Sequence, residues 1–321
     1  MTPTLITILG PTASGKSALA VALAKSLGSL VISGDAYQIY RGMDIGTAKI
    51  MKEEMQGVLH VLLDELDPTE PYSAALFCQK AAVVIARENE SGRIPILCGG
   101  TGLYIQSLLE GYRFLPKAEE TKQYWQNFYR SYGKEALADE IRKRRPKAEI
   151  PVDPQRRIRL LSLLDSGNGE KPAEKSGEIM YNGAVIGIRT ERDYLYECIN
   201  RRVDAMLEAG LVSEVRTLLE RGISEEMPSF RAIGYKEIIS HIRGEMTLAE
   251  ATEAIKQNTR HFAKRQITWY KRMPYIHWID RSRDEDPARW TEQAVREISA
   301  LVENTVMRDA ENGGDAAWKE K

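Results

Sequence analysis

TLITILGPTASGKSALAVALAKSLG, Thr4 to Gly28, decides the fold. Thr4–Leu9 is apolar or β-branched and reads as a buried strand. GPTASGKS, Gly10–Ser17, follows with G-x-x-x-x-G-K-[ST] spacing. Ser17–Leu27 then reads as a strong helix stopped by Gly28. A strand leading in and a helix leading out is the context that a phosphate-cradling loop requires. Gly10 and Gly15 let the backbone curl around oxygens, with Pro11, Thr12, Ala13 and Ser14 between them. The N–H groups at the helix start point at the anion. Lys16 neutralises it, and Ser17 offers a hydroxyl to a Mg²⁺ ion. The plain alternative is a ligand-free glycine turn, which the full pattern in this setting disfavours.

The same alternation continues downstream. Ser29–Ser33 and Ile94–Cys98 are short apolar runs, and Val58–Leu63 is a weaker strand candidate. Tyr72–Asn89 and Leu103–Leu109 have helical period. Strands alternating with helices predict an α/β parallel sheet, here a P-loop core. Near Pro116 the texture changes. Lys117–Ile150 is charged and aromatic and reads as two helices, Pro151–Pro154 breaks it, and Gln155–Asp165 resumes as a basic helix. Ser166–Gly177 is a flexible loop by composition. Ala184–Ile188 brings the sheet back, followed by helices at Tyr194–Ala209, Val212–Arg221 and about Leu248–Arg272, and a strand at Tyr275–Ile279. The expected organisation is a discontinuous core, 1–115 with 183–303, a helical insertion, 116–182, and a loose tail, 304–321.

Composition narrows the class. A net charge of −1 gives no bulk argument for nucleic acid, so any basic surface must be local. The three cysteines, Cys78, Cys98 and Cys198, lack metal-ligand spacing and suit a reduced, cytoplasmic protein. No stretch approaches the roughly 20 apolar residues of a membrane span, and no basic-then-apolar leader opens the chain.

Four further features carry candidate chemistry. Asp35 lies just past the second strand, at the sheet edge where α/β folds bind ligands; a functional aspartate, as general base or part of a metal site, and a capping aspartate fit it equally well. Gly99-Gly100-Thr101-Gly102 follows another strand at the same edge, and is either a ligand-approach loop or a Thr-capped turn. Basic residues cluster at Arg142–Arg145, at Arg156, Arg157 and Arg159, and at Arg260, Lys264, Arg265, Lys271 and Arg272. Phe262, Trp269 and Tyr270 interleave the last group, as RNA binding favours, although a solvated helix face is the commoner origin of such runs. Arg202 lies beside the apolar helix face of Ile199, Val203, Met206 and Leu207, so it could reach inward to a phosphate or make a surface ion pair.

These motifs occur in order with DAYQIYRGMDIGTAK (35–49), LDPTEPYSAALF (66–77), GGTGLY (99–104), INRRVDAMLEAGLVSEV (199–215), FRAIGYKE (230–237) and TRHFAKRQITWYKR (259–272). Together they resemble the tRNA dimethylallyltransferase (tRNA isopentenyltransferase) family over nearly the whole chain. The resemblance implies transfer of a dimethylallyl group from its diphosphate to N6 of the adenine 3′ of the tRNA anticodon, by a monomer using Mg²⁺. It implies that Asp35 takes the amine proton, that Thr101 contacts diphosphate near the target nucleotide, and that Arg202 grips the diphosphate with the loop Thr12–Ser17. It implies tRNA contacts from Asp35, Ala36, Tyr37 and Gln38, and from Gln155, Arg156, Arg157, Ile158 and Arg159. Arg231, Lys236, Lys264, Arg265, Lys271 and Arg272 are weaker carry-overs. Two positions depart from the pattern: Ala36 stands where a serine is usual, and Cys198 where an arginine is common. Three rivals share the loop: an ATP-dependent small-molecule kinase, an isopentenyltransferase acting on free adenine nucleotides, and a nucleotide-dependent RNA-binding switch.

Overall fold

The computed structural model describes residues 2–112, 114, 119–146, 148–165 and 179–312, with side chains except at 119–120 and 304–312. The chain forms two compact units, Met1–Leu109 with Ile179–Lys321, and Glu110–Glu178.

The first unit is built on six parallel strands: β1 (Ile6–Leu9), β2 (Val31–Ser33), β3 (His60–Val61), β4 (Ile96–Gly99), β5 (Val185–Thr190) and β6 (His277–Arg281). Their order is β3-β2-β4-β1-β5-β6. β1, β2 and β4 are buried at every residue. That is why they read as continuous apolar runs: helices cover both faces. Ile6 pairs with Ile96, Ile32 with Leu97, and Ile8 with Ile186. Helix α1 (Lys16–Leu27) follows the glycine-rich loop and buries Leu19, Ala20 and Leu23 in the core with Ile6, Ile8 and Ile186. Gly28, at φ 57°, ends it and sends its N–H to the Ala24 carbonyl. β3 is shorter than the predicted Val58–Leu63, because Leu62 takes φ 56° and leaves the extended region. After β1 the chain crosses towards β2, whereas after β4 it returns on the other side, through β5. The loops following β1 and β4 therefore flank the switch point, where such sheets bind ligands.

Helices α2 (Ala74–Glu90) and α3 (Gly102–Leu109) follow β3 and β4. The chain leaves the first unit at Leu109 and re-enters beside the same residue, Met180 N–H donating to its carbonyl at 2.8 Å. In the second unit, α4 (Glu119–Arg144) is broken at Gly133 (φ 78°, ψ −178°), which accounts for the two helices expected there. With α5 (Pro154–Asp165) it buries Trp125, Leu137, Ile141, Ile158 and Leu161.

Beyond β5 come α6 (Arg192–Glu208), α7 (Leu211–Glu220), α8 (Tyr235–Ile242), α9 (Leu248–Tyr270) and α10 (Pro287–Asn312). The sequence reading omitted α8 and α10 as helices. α10 is also a correction to the tail: the helix runs past 304 to Asn312. Trp290, Ala294, Ile298 and Val302 recur on one of its faces and join the sheet core. The loop expected at 166–177, and the chain after Asn312, lie outside the described residues.

Candidate functional site

Three loops at adjacent strand ends converge. The Gly10–Ser17 loop after β1 is held in shape by two left-handed residues, Ala13 (φ 65°) and Gly15 (φ 90°). The Arg281 guanidinium donates to the Ser14 carbonyl at 2.9 Å. The loop after β4 lies against the loop after β2, where Thr101 N–H donates to the Gly34 carbonyl at 3.3 Å. Gly99 is required there: a Cβ on it would sit 2.3 Å from the Gly34 oxygen. Thr101 Oγ1 accepts from Ala36 N–H at 3.0 Å, which leaves its own proton free to donate. Asp35 Oδ1 accepts from Tyr37 N–H at 2.9 Å, fixing the carboxylate.

One cavity of about 560 Å³ joins these loops. Thr12, Lys16, Ser17, Asp35, Ala36, Tyr37, Gln38, Thr101, Arg202, Arg231 and Arg265 all line it. Gly10, Pro11, Ala13, Ser14 and Gly15 supply the loop backbone behind it. Arg202, on α6, reaches inward as expected and donates to Thr12 Oγ1 at 3.3 Å. Lys16 Nζ points back to the Pro11 carbonyl at 3.4 Å.

Two partly buried cations line the cavity. Burial, and then the Arg202 guanidinium, hold the Lys16 ammonium below the usual lysine range, partly opposed by Cys98 and Asp35. Burial likewise lowers Arg202. A polyanion against these two cations would offset both their desolvation and their mutual repulsion. Burial, and then Asp35, push the Tyr37 phenol up. Burial pushes the Cys98 thiol up to about 11, so it stays a neutral thiol near pH 7. Among the described residues no group of three His, Cys, Asp or Glu converges as a metal site. Ser17 lines the cavity, and its single hydroxyl would suit a Mg²⁺ ion held mainly by a substrate's phosphates.

Not every candidate reaches this cavity. Lys236, Lys264, Lys271 and Arg272 are exposed and outside its lining. In the second unit Arg157 is buried, donating to the Pro151 and Lys134 carbonyls at 2.6 Å each, and Ile158 is core. A turn of α5 faces inward there, leaving Gln155, Arg156 and Arg159 exposed. The Arg142–Arg145 run is partly neutralised, Arg142 and Lys143 pairing with Asp139 and Glu140, while Arg144 lies over the Trp125 ring.

Other residues of the site escaped the sequence reading. Glu214 on α7 accepts the N–H groups of Asp44, Ile45 and Gly46 and the Tyr235 hydroxyl. It thereby fixes the loop whose Gly46, Thr47 and Ala48 line the cavity. Gln266 and Tyr270 on α9 bond to the two glycine-rich loops. Their spacing of four, which places both on one helix face, was the available signal.

Fold and site together define an α/β enzyme of the phosphate-loop kind, with Asp35 and Thr101 lining the same cavity as Lys16. The sequence model described as IPP transferase matches residues 38–273. The tRNA dimethylallyltransferase of Staphylococcus carnosus is 42% identical over 296 residues, covering 89% of this chain and 93% of that protein. That of Geobacillus thermodenitrificans is 40% identical, covering 94% and 98%. The crystal structure of a tRNA isopentenylpyrophosphate transferase from Bacillus halodurans superposes with TM-score 0.74 at 40% identity, covering 96% of this chain and 99% of that one. The chain belongs to the IPP transferase family. Among the described residues no helix is long and apolar enough to cross a membrane.

Proposed function

We propose that this enzyme transfers a dimethylallyl group from dimethylallyl diphosphate to N6 of the adenine 3′ of the anticodon in tRNA, releasing diphosphate. The observation that carries the reading is a single cavity lined by both kinds of group. Lys16, Arg202, Thr101 and the Thr12–Ser17 loop suit a leaving diphosphate. Asp35 suits an amine nucleophile.

The allylic C–O bond breaks as N6 forms its new C–N bond, and the bonding pair of C–O departs with the diphosphate. Charge grows on that group, and Lys16, Arg202 and the loop amides stabilise it where it grows. Ser17 would hold Mg²⁺, which would neutralise diphosphate charge. N6 is a weak nucleophile because its lone pair is conjugated into the purine. Asp35 orients the amine and accepts its proton as the C–N bond forms. Thr101, with its oxygen already accepting from Ala36, donates its proton to a diphosphate oxygen. The adenine must leave its stack to reach this cavity, at about a few kcal/mol, and less in a loop than in a duplex. Exposed Arg231 and Arg265 at the cavity rim would meet RNA phosphates. tRNA and dimethylallyl diphosphate are thus the proposed substrates, Mg²⁺ the proposed cofactor, and the cytoplasm the proposed location.

Asp35→Ala tests the assignment. It is expected to lose most turnover, about 10²–10⁴-fold, and to keep tRNA affinity in a filter-binding assay. Turnover at the wild-type rate would remove Asp35 as the base.

A further inference from the structure

The α9 helix lays three side chains across the two glycine-rich loops. Gln266 is 5% exposed and uses both ends of its amide. Oε1 accepts from Thr12 N–H at 2.9 Å, and Nε2 donates to the Gly100 carbonyl at 2.8 Å. The Tyr270 hydroxyl donates to the same Gly100 carbonyl at 2.8 Å and lies 3.3 Å from that of Gly10. The Trp269 ring fills the space over Gly102, where a Cβ would be 2.6 Å from its Cδ1.

A buried glutamine often does no more than satisfy itself. This one serves neither its own helix nor the sheet. Its partners are Thr12, whose hydroxyl receives the Arg202 guanidinium, and Gly100, which precedes Thr101. Thr101 in turn holds the Ala36 amide beside Asp35. One side chain therefore connects the loop of Thr12 and Lys16 to the loop whose Thr101 holds the Ala36 amide beside Asp35. It also withdraws the Thr12 N–H from the set that can point at an anion, and so helps to fix which amides hold the diphosphate.

We propose that Gln266 is a positioning residue that sets the separation between the diphosphate loop and the Thr101–Asp35 loop. It acts on the bond-exchange step more than on the binding of either substrate. The inference rests on the prenyl-transfer reading given above.

The test compares wild type with Gln266→Met, Gln266→Glu and Tyr270→Phe. The readouts are single-turnover transfer from labelled dimethylallyl diphosphate to an anticodon stem-loop RNA at saturation, separate dissociation constants for inorganic pyrophosphate and for the RNA, and thermal melts. Misplacing reactive groups by an ångström costs about 10²-fold. Gln266→Met is expected to lose about 10–100-fold in the single-turnover rate, with both dissociation constants within threefold of wild type. Gln266→Glu gives a sharper readout. An ionised carboxylate still accepts from Thr12 but repels the Gly100 carbonyl, whereas a protonated one can donate to it. Its rate relative to wild type is therefore expected to rise as pH falls, a trend that a purely structural role would not produce. Tyr270→Phe keeps the ring packing and should show the same pattern with a smaller loss, which keeps the proposal testable if Gln266→Met fails to fold. A wild type that transfers label, with variants within twofold of its saturated rate or with losses confined to one dissociation constant, overturns the inference alone. A wild type that transfers none overturns the functional reading and this inference with it.

Discussion

Gly99→Ala probes the contact on which the acceptor end of the cavity depends. The added Cβ would sit 2.3 Å from the Gly34 oxygen, 2.5 Å from its carbonyl carbon and 2.6 Å from its Cα. These are backbone atoms and cannot swing aside. Gly34 is tied at both ends, its N–H donating to the Cys98 carbonyl at 2.8 Å and its carbonyl accepting from Thr101 N–H. Ordinary contact begins near 3.4 Å, so the β2 and β4 loops must part by about 1 Å. Overpacking of this kind costs about 1–3 kcal/mol, or about 2–10 °C in Tm for a protein of this size. The same movement draws Asp35 away from Thr101, and an ångström of misplacement costs about 10²-fold in rate. Single-turnover transfer to the stem-loop RNA and a thermal melt measure both effects. A variant with wild-type rate and an unshifted melt would refute the reasoning.

Three other perturbations follow from the same geometry. Burial, and then the Arg202 guanidinium, hold the Lys16 ammonium below the usual lysine range in the folded protein. Between the folded and unfolded values the unfolded chain binds more protons, so the stability of the ligand-free protein rises with pH through that window. Lys16→Met should abolish that slope, raise the ligand-free Tm and eliminate pyrophosphate binding; an unchanged slope in melts up to pH 10 would remove the argument. Arg202→Met should lower kcat/KM for dimethylallyl diphosphate by about 10²–10³-fold and leave RNA affinity unchanged, as steady-state kinetics and filter binding would show. Gly46→Ala would place a Cβ 2.5 Å from the Tyr235 ring and disturb the Glu214 anchor. A loss of about 1–3 kcal/mol in denaturant unfolding is expected, and none would mean that the ring yields.

The parts of the fold legible in the sequence are those where local pattern and burial agree. β1, β2 and β4 are short apolar runs because the sheet is covered on both faces. α1 is bounded by the phosphate-loop glycine and by Gly28, and Gly133 divides α4 as its composition implied. α10 had the signal, in Trp290, Ala294, Ile298 and Val302, but its charged flanks obscured it. β3 was overdrawn because positive φ at Leu62 leaves no mark in apolar composition. At the site, Asp35, Thr101 and Arg202 were findable from strand ends and helix phase. Gln266 offered only its spacing of four from Tyr270, since its partners are backbone atoms of residues 254 and 166 positions away. The burial of Arg157 was illegible for the converse reason: in sequence a basic residue that caps backbone carbonyls looks the same as one that meets phosphate.

The central claim is that the Gly10–Ser17 loop holds a leaving group and consumes no nucleoside triphosphate. The direct measurement incubates the protein with unmodified tRNA, Mg²⁺ and labelled dimethylallyl diphosphate, with ATP as an alternative donor and AMP as an alternative acceptor. The account predicts label in tRNA, one diphosphate released per prenyl group transferred, and no dependence on ATP. ATP consumption without prenyl transfer, or label delivered to AMP in preference to tRNA, would contradict it.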